Sequence, residues 1–302
     1  MMWRSLGGAL LLSVLVSGCS VNYTGERLFW KAQRTAAPIL SAKNSNLLTT
    51  DQYTRAIRAY QRVVDKAPGT SWAARSQAAV GSLYAMQKEF AKAREAYRLV
   101  LQNYNDYQTL VLNARLAIGK SYETEQDWDE AVKMYREISD YHPWSQVGLE
   151  LPLYIGGGYQ HLGKSEEAVK AYQRAVSIYT SLIPDAPTPE STVQVKGYLA
   201  QAQLRSGQAG EAVKTLEELR ATDEKGTNRP LVLLMLGSVY QAQLHDIAKA
   251  GEAYGQVVKE FPDHEWAKVA KAQLERLGLP IPPAAAPITP AAGTPTPTPA
   301  SR

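Results

Sequence analysis

Four groups of residues in this 302-residue chain have types or spacings that could support chemistry. The run Gly158-Tyr159-Gln160-His161-Leu162-Gly163-Lys164-Ser165 fits the pattern G-x-x-x-x-G-K-[ST]. In such a loop backbone amides wrap phosphates, while Lys and Ser hold the terminal phosphate and magnesium, and the loop follows a buried strand. Here the preceding segment, Leu149 to Gln160, has helical spacing, and Gly163 recurs as Gly207 in Ser206-Gly207-Gln208 with no Lys-Ser pair. A turn between two helices, with Ser165 as N-cap, accounts for every residue. The four histidines, His142, His161, His245 and His264, are scattered, none at metal-ligand spacing from another, and no His-Glu-x-x-His occurs. Asp127, Asp129, Glu130, Glu166 and Glu167 fall in helix first turns, where they suit the positive end of the helix dipole and need no catalytic role. No serine sits in Gly-x-Ser-x-Gly. The expectation is no catalytic residue, no cofactor and no metal: a binding protein, not an enzyme.

The fourth group is a single thiol, Cys19. One cysteine excludes an intrachain disulfide framework, a Cys-x-x-Cys redox pair and a multi-cysteine zinc site. Lys plus Arg number 33 against 29 Asp plus Glu, an excess too small and too evenly spread for a nucleic-acid footprint. Hydrophobic residues at 45% and charged residues at 21% describe a folded chain. Beyond the N-terminus no apolar run approaches the roughly 20 residues needed to cross a bilayer, so the body is expected to be water-soluble.

The location of Cys19 gives it a purpose. Arg4 closes a positive n-region, Leu6 to Val16 form an apolar core, and the small residues Ser17 and Gly18 precede the cysteine. That order is a secretory signal, too short for a stable span. Leu15-Val16-Ser17-Gly18-Cys19 resembles the lipobox of bacterial lipoproteins. The resemblance implies a signal peptide over 1–18, acylation of Cys19, a lipidated segment over 19–36 and a permanent membrane anchor, palmitate among its acyl chains. By the same analogy Ser20, rather than Asp, implies the outer membrane, facing the periplasm; inner-membrane anchoring is the alternative.

The elements behind these residues come from repetition. Ala56/Tyr60, Ala93/Tyr97, Ala131/Tyr135, Ala168/Tyr172, Ala212/Leu216 and Ala250/Tyr254 recur at intervals of 37, 38, 37, 44 and 38 residues. In phase with them run Gly81/Tyr84, Gly119/Tyr122, Gly156/Tyr159 and Gly237/Tyr240. Residues three or four apart share a helix face, so Gly/Tyr marks one helix and Ala/Tyr a second. Small residues let two backbones approach while each tyrosine fills the gap beside them. Pro68, Pro143 and Pro262 stop helices. The series resembles the tetratricopeptide repeat, with a partial unit around Ala56 that lacks an upstream Gly-x-x-Tyr helix. A divergent unit around 197–219 has Ala200 for Gly, Gln203 for Tyr and Leu216 for the ring.

The resemblance implies an all-α solenoid of helical hairpins coiled into a right-handed superhelix, covering 37–278. The Pro-rich stretch 180–192 is expected to be a loop and a possible break between sub-blocks, and a helix from about Glu265 to Leu277, ended by Gly278, to cap the array. The Pro/Ala/Thr tail, 279–302, is expected to be disordered. In this family the first helices line a concave groove. Carried onto this sequence, the groove positions are Arg75, Ser82 and Met86; Asn113, Lys120 and Glu123; and Glu150, Gln160 and His161. Gln194, Gln201 and Arg205 follow from the divergent unit, with Ser238 and Gln241 from the last. Such a polar face of mixed sign suits an extended peptide or a partner helix. Similar lipidated proteins include outer-membrane barrel-assembly lipoproteins and pilotins, so the implied role is a lipid-anchored scaffold gathering envelope proteins or peptides for assembly, secretion or polymer export. A peptidoglycan-associated structural lipoprotein and a nucleotide-dependent enzyme using Lys164 are the alternatives.

Overall fold

The computed structural model describes residues 6–42, 48–222 and 228–283, with side chains from residue 20 onward. The first residues of the expected signal peptide, the side chain of Cys19 and most of the Pro/Thr tail therefore lie outside the described residues. Among the described residues there are thirteen α-helices and no strand, as an all-α repeat requires. They are α1 (Leu6–Leu40), α2 (Thr50–Lys66), α3 (Ser71–Met86), α4 (Phe90–Asn103), α5 (Gln108–Thr124), α6 (Trp128–Tyr141) and α7 (Gln146–His161). They continue with α8 (Ser165–Leu182), α9 (Pro189–Arg205), α10 (Ala209–Thr222), α11 (Arg229–Ala242), α12 (Ile247–Glu260) and α13 (Glu265–Arg276). No described helix is long and apolar enough to cross a membrane.

Local chemistry sets the boundaries. Thr49 and Gln52 form a reciprocal capping box at the start of α2, and Thr70, Asp127, Ser145, Thr188 and Asp246 each accept a first-turn N–H. Helices α2, α6 and α12 each end two residues before a proline, Pro68, Pro143 and Pro262. Two expectations change at this level. The stretch 180–192 is mostly helical: α8 runs to Leu182, a 3-10 turn covers Ile183–Asp185, and α9 already begins at Pro189. Proline is compatible with the first turn of a helix, and with Thr188 accepting from Ser191 N at 3.1 Å it starts α9. The N-cap of α8 is Lys164, not Ser165, because the left-handed Gly163 (φ +71°) ends the preceding turn and Ser165 is already helical.

The chain divides into two compact units, Met1–Gly163 and Lys164–Arg302, so the division falls just ahead of α8 and not in 180–192. In the first unit every helix packs on the next, and α1 also touches α3 as α3 touches α5. Helices α1, α3 and α5 thus form a common face there. The second unit repeats the scheme from α8 to α13, with α11 touching α13.

The repeat residues explain the closeness of the hairpins. A Cβ on Gly81 would lie 2.7 Å from the Tyr97 ring, one on Gly119 2.5 Å from Tyr135, and in the second unit one on Gly237 2.5 Å from Tyr254. Each tyrosine of a second helix lies flat on the bare backbone of the first. The divergent unit packs by other means: Ala200 and Leu216 are fully buried, and Gln203, at the tyrosine position, accepts from Thr215 Oγ1 at 2.9 Å.

Two ends of the packing differ from the sequence expectation. Helical packing reaches back before residue 37, since Phe29, Ala32, Ala36 and Ile39 of α1 are buried with Tyr53, Ala56, Ile57 and Tyr60 of α2. This hairpin reads poorly because α1 uses Gly25, Ala32 and Ala36 as its small residues, with Phe29 as its ring, instead of Gly-x-x-Tyr. At the other end α13 caps the array as expected, ending at Arg276 before Gly278 (φ +66°). The start of the tail then packs back: Leu279 lies where a Cβ on Gly251 would meet it at 2.5 Å, and Pro282 lies against Gly255.

Candidate functional site

The best-built polar cluster in the first unit grows from the end of α5. Glu123 sits one turn after Gly119, and Tyr135 of α6, flat on Gly119, brings its hydroxyl up to that turn. Tyr135 donates to Glu123 Oε2 at 2.6 Å, Tyr154 of α7 donates to Oε1 at 2.6 Å, and Lys120 Nζ donates to Oε2 at 3.1 Å and to the Tyr154 hydroxyl at 2.9 Å. The Lys120 ammonium also lies over the Tyr154 ring, 4.7 Å from its centroid.

Aromatic rings fix this cluster from below. Trp128, the first residue of α6, is 7% exposed and contacts Tyr135, Tyr154 and Tyr159 at centroid distances of 6.1, 5.9 and 6.0 Å. Its six-membered ring rests on Gly158, where a Cβ would lie 1.9 Å from Cζ2. That contact disposes of the phosphate-loop reading of Gly158–Ser165. Gly158 is inside α7, its bare backbone is the seat of an indole, and no strand precedes it.

Burial alone would raise the Glu123 carboxyl, but the hydrogen bonds from Tyr135, Tyr154 and Lys120, with the Lys120 charge, outweigh it and hold the group below its ordinary value. Burial, then the facing carboxylate, pushes the Tyr135 and Tyr154 hydroxyls up, so both stay protonated donors. A carboxyl with a depressed folded-state pKa contributes stability above its unfolded pKa and loses it as pH falls through the folded one. Glu123→Gln is therefore expected to flatten the acid limb of the stability–pH profile of the first unit. The loss at pH 7 should be under about 1 kcal/mol, because Glu123 is only half-buried and solvent screens it. Urea midpoints between pH 3 and 7 check this, and an unchanged acid limb would count against the cluster.

The same device recurs. Ser82, beside Gly81, bonds the Tyr97 hydroxyl at 3.0 Å, and in the second unit Tyr254 donates to Gln241 at 2.9 Å. Arg205 donates to the Tyr172 hydroxyl at 3.2 Å, with its guanidinium 5.6 Å from the ring centroid. Of the sequence-predicted groove residues, then, Ser82, Lys120, Glu123, Arg205 and Gln241 hold tyrosine hydroxyls, a role that spacing alone did not reveal. Lys120 and Glu123 are brought together. Arg75, exposed on α3, lies over Trp72 of its own helix at 5.3 Å, and Asn113 is exposed on α5. Gln160 and His161 are exposed at the end of α7; on α9, Gln194 is exposed and Gln201 half-buried.

Sequence reasoning missed Trp128, Tyr154 and Tyr159 as members of one cluster. The available signal was the second small position, Gly158, two residues beyond the repeat glycine Gly156. It also missed the neighbouring pair Arg94 and Arg98 of α4. Arg94 stacks on Tyr122, 4.2 Å from its centroid, and donates to Glu125, and Arg98 donates to the Tyr122 hydroxyl at 3.0 Å. These contacts tie α4 to α5. Among the described residues no group of three His, Cys, Asp or Glu is placed to hold a metal ion.

Comparison with family models agrees with the repeat assignment. Models of the tetratricopeptide repeat match residues 45–107, 113–143, 158–181 and 231–264, leaving out α1 and the divergent unit. No curated protein matches the chain. Solved structures similar to it include YrrB, described as a TPR protein with an unusual peptide-binding site, at 18% identity over 72% of this chain and 99% of that one, with a TM-score of 0.40. PilW, described as a widely conserved type IV pilus biogenesis factor, is 15% identical over 83% of this chain and 99% of that one, with a TM-score of 0.39. BtubC from P. vanneervenii is 16% identical over 80% and 97%, with a TM-score of 0.41. With repeat models matching about half its length and glycine–tyrosine hairpins in both units, the chain belongs to the tetratricopeptide-repeat proteins.

Proposed function

We propose that this protein is a non-enzymatic scaffold, anchored by acyl chains on Cys19 and facing the periplasm from the outer membrane, that binds envelope proteins or peptides during assembly, secretion or polymer export. The observation that carries the binding half is the shared face of the odd-numbered helices α1, α3 and α5 in the first unit. The cluster of Lys120, Glu123 and Tyr154 reaches the surface at the end of α5, and Tyr154 is among the exposed large side chains. A rigid aromatic ring beside a charged pair, held by buried tyrosines, is the kind of group that anchors a partner chain. The lipobox-like Leu15-Val16-Ser17-Gly18-Cys19 supports the anchoring half.

Two measurements test the halves separately. Cells fed labelled palmitate should incorporate it into the full chain, and Cys19→Ser should abolish the label; an equal label in both would remove the anchor. A photoreactive amino acid at Asn113 or Tyr154 should form discrete adducts with envelope proteins in intact cells. Adducts confined to the peptidoglycan sacculus would replace the scaffold by the structural-lipoprotein reading.

A further inference from the structure

Helix α1 carries two opposed stripes. Gly25, Phe29, Ala32, Ala36 and Ile39, spaced four, three, four and three, are buried on α2 and α3. On the opposite face Tyr23, Arg27, Trp30 and Arg34 have the same helical spacing and are all exposed, Tyr23 at 68% and Trp30 at 51%. Lys31 flanks that face and is exposed too. From Ser20 to Leu40 the only acidic residue is Glu26, against three basic ones.

Isolated exposed aromatics need no explanation, but an aromatic–arginine stripe running directly on from the thiol that would carry the anchor does. We propose that this outer face of α1 lies along the membrane surface and binds anionic phospholipid headgroups. The inference rests on the acylation of Cys19 proposed above. At 1.5 Å per residue, Tyr23 and Trp30 stand about 6 and 17 Å along the helix axis from Cys19, so the acyl chains hold both rings at headgroup level. Tyrosine and tryptophan favour that zone because their rings are apolar with one polar edge. Arginine stems lie along the apolar boundary while their guanidiniums reach the phosphates. The helix is amphipathic and does not span the bilayer: it lies on the surface with its other side committed to the first hairpin. The anchor then fixes the orientation of the first unit as well as its location.

The test uses the full chain purified from cell membranes and reconstituted in phosphatidylglycerol vesicles. With Cys19 blocked by acylation, a nitroxide is placed through Ala37→Cys, on the edge of the outer face, or through Glu95→Cys on α4. Collision with lipid-dissolved oxygen, relative to a water-soluble nickel complex, should be greater at residue 37 by about threefold, and Arg27→Glu with Arg34→Glu should abolish the difference. Intact mass reports acylation independently. An acylated chain whose residue 37 meets oxygen no more than residue 95 overturns the membrane-facing helix and leaves the anchor standing. Shielding of residue 37 from both reagents means a protein covers the face and overturns it equally. A mass without acyl groups overturns both readings.

Discussion

Gly158→Ala is expected to destabilise the first unit by about 2–3 kcal/mol, a large effect for one methyl group. The added Cβ would stand 1.9 Å from Cζ2 and 2.3 Å from Cη2 of Trp128, inside the ring's van der Waals surface. The indole has nowhere to go, because Tyr135, Tyr154 and Tyr159 all contact it and it is almost wholly buried. Alanine gains about 1 kcal/mol over glycine in a helix interior, so the steric cost must exceed the measured loss by that amount. Gly197 of α9 supplies the control: it is also inside a helix, but nothing lies within 4 Å of its would-be Cβ. Gly197→Ala should therefore stabilise the second unit by up to about 1 kcal/mol. The two substitutions act in different compact units, so amide hydrogen exchange followed unit by unit reads them separately. A Gly158→Ala protein as stable as the parent would mean that Trp128 does not sit on α7.

Periodicity exposed most of the fold because the repeat uses a few residue types for a steric reason. Glycine beneath a tyrosine ring leaves a recurrent trace wherever a hairpin is built that way, as at Gly81, Gly119 and Gly237. The pattern fades where the same closeness comes from other side chains. Helix α1 uses Gly25 against Ala67 and Trp72, and α9 pairs Gln203 with Thr215, and neither resembles the motif. Proline misled in the other direction. Pro184, Pro187 and Pro189 suggest a loop, yet Pro189 occupies a helix first turn, where its missing N–H costs nothing.

The candidate site was less legible than the fold, for a related reason. Counting along first helices gives positions on a face, and it placed Lys120 and Glu123 on the same one. It could not show that Glu123 is claimed from beneath by Tyr135, since that contact depends on how far a second-helix ring projects past the first helix. Nor could it join Trp128 and Tyr154, which belong to different helices and meet only because Gly158 admits the indole. The P-loop-like pattern arose from the same packing glycine and a turn glycine falling five residues apart.

Tyr135 should be the most sensitive single position in the first unit, and two substitutions there separate its two functions. Tyr135→Ala is expected to cost about 4 kcal/mol, in the range for removing a large ring from a packed interior. The side chain is fully buried, it lies flat on Gly119, and its ring meets Trp128 and Tyr154 edge-on at 6.1 and 5.7 Å. Tyr135→Phe keeps all of that and deletes one donor to Glu123. Because Glu123 is half-exposed, water can take the vacant lone pair, and the loss should stay near about 1 kcal/mol. Removing the donor also lets the Glu123 pKa rise toward its ordinary value, so Tyr135→Phe should flatten the acid limb in the same sense as Glu123→Gln while leaving the helix content intact. Chemical denaturation with tryptophan emission, run across the acid range, measures both terms together. If phenylalanine costs as much as alanine, the hydroxyl is the main contribution and the ring's seat on Gly119 is incidental. If alanine costs no more than about 1 kcal/mol, the glycine–tyrosine contact is not what closes the hairpin.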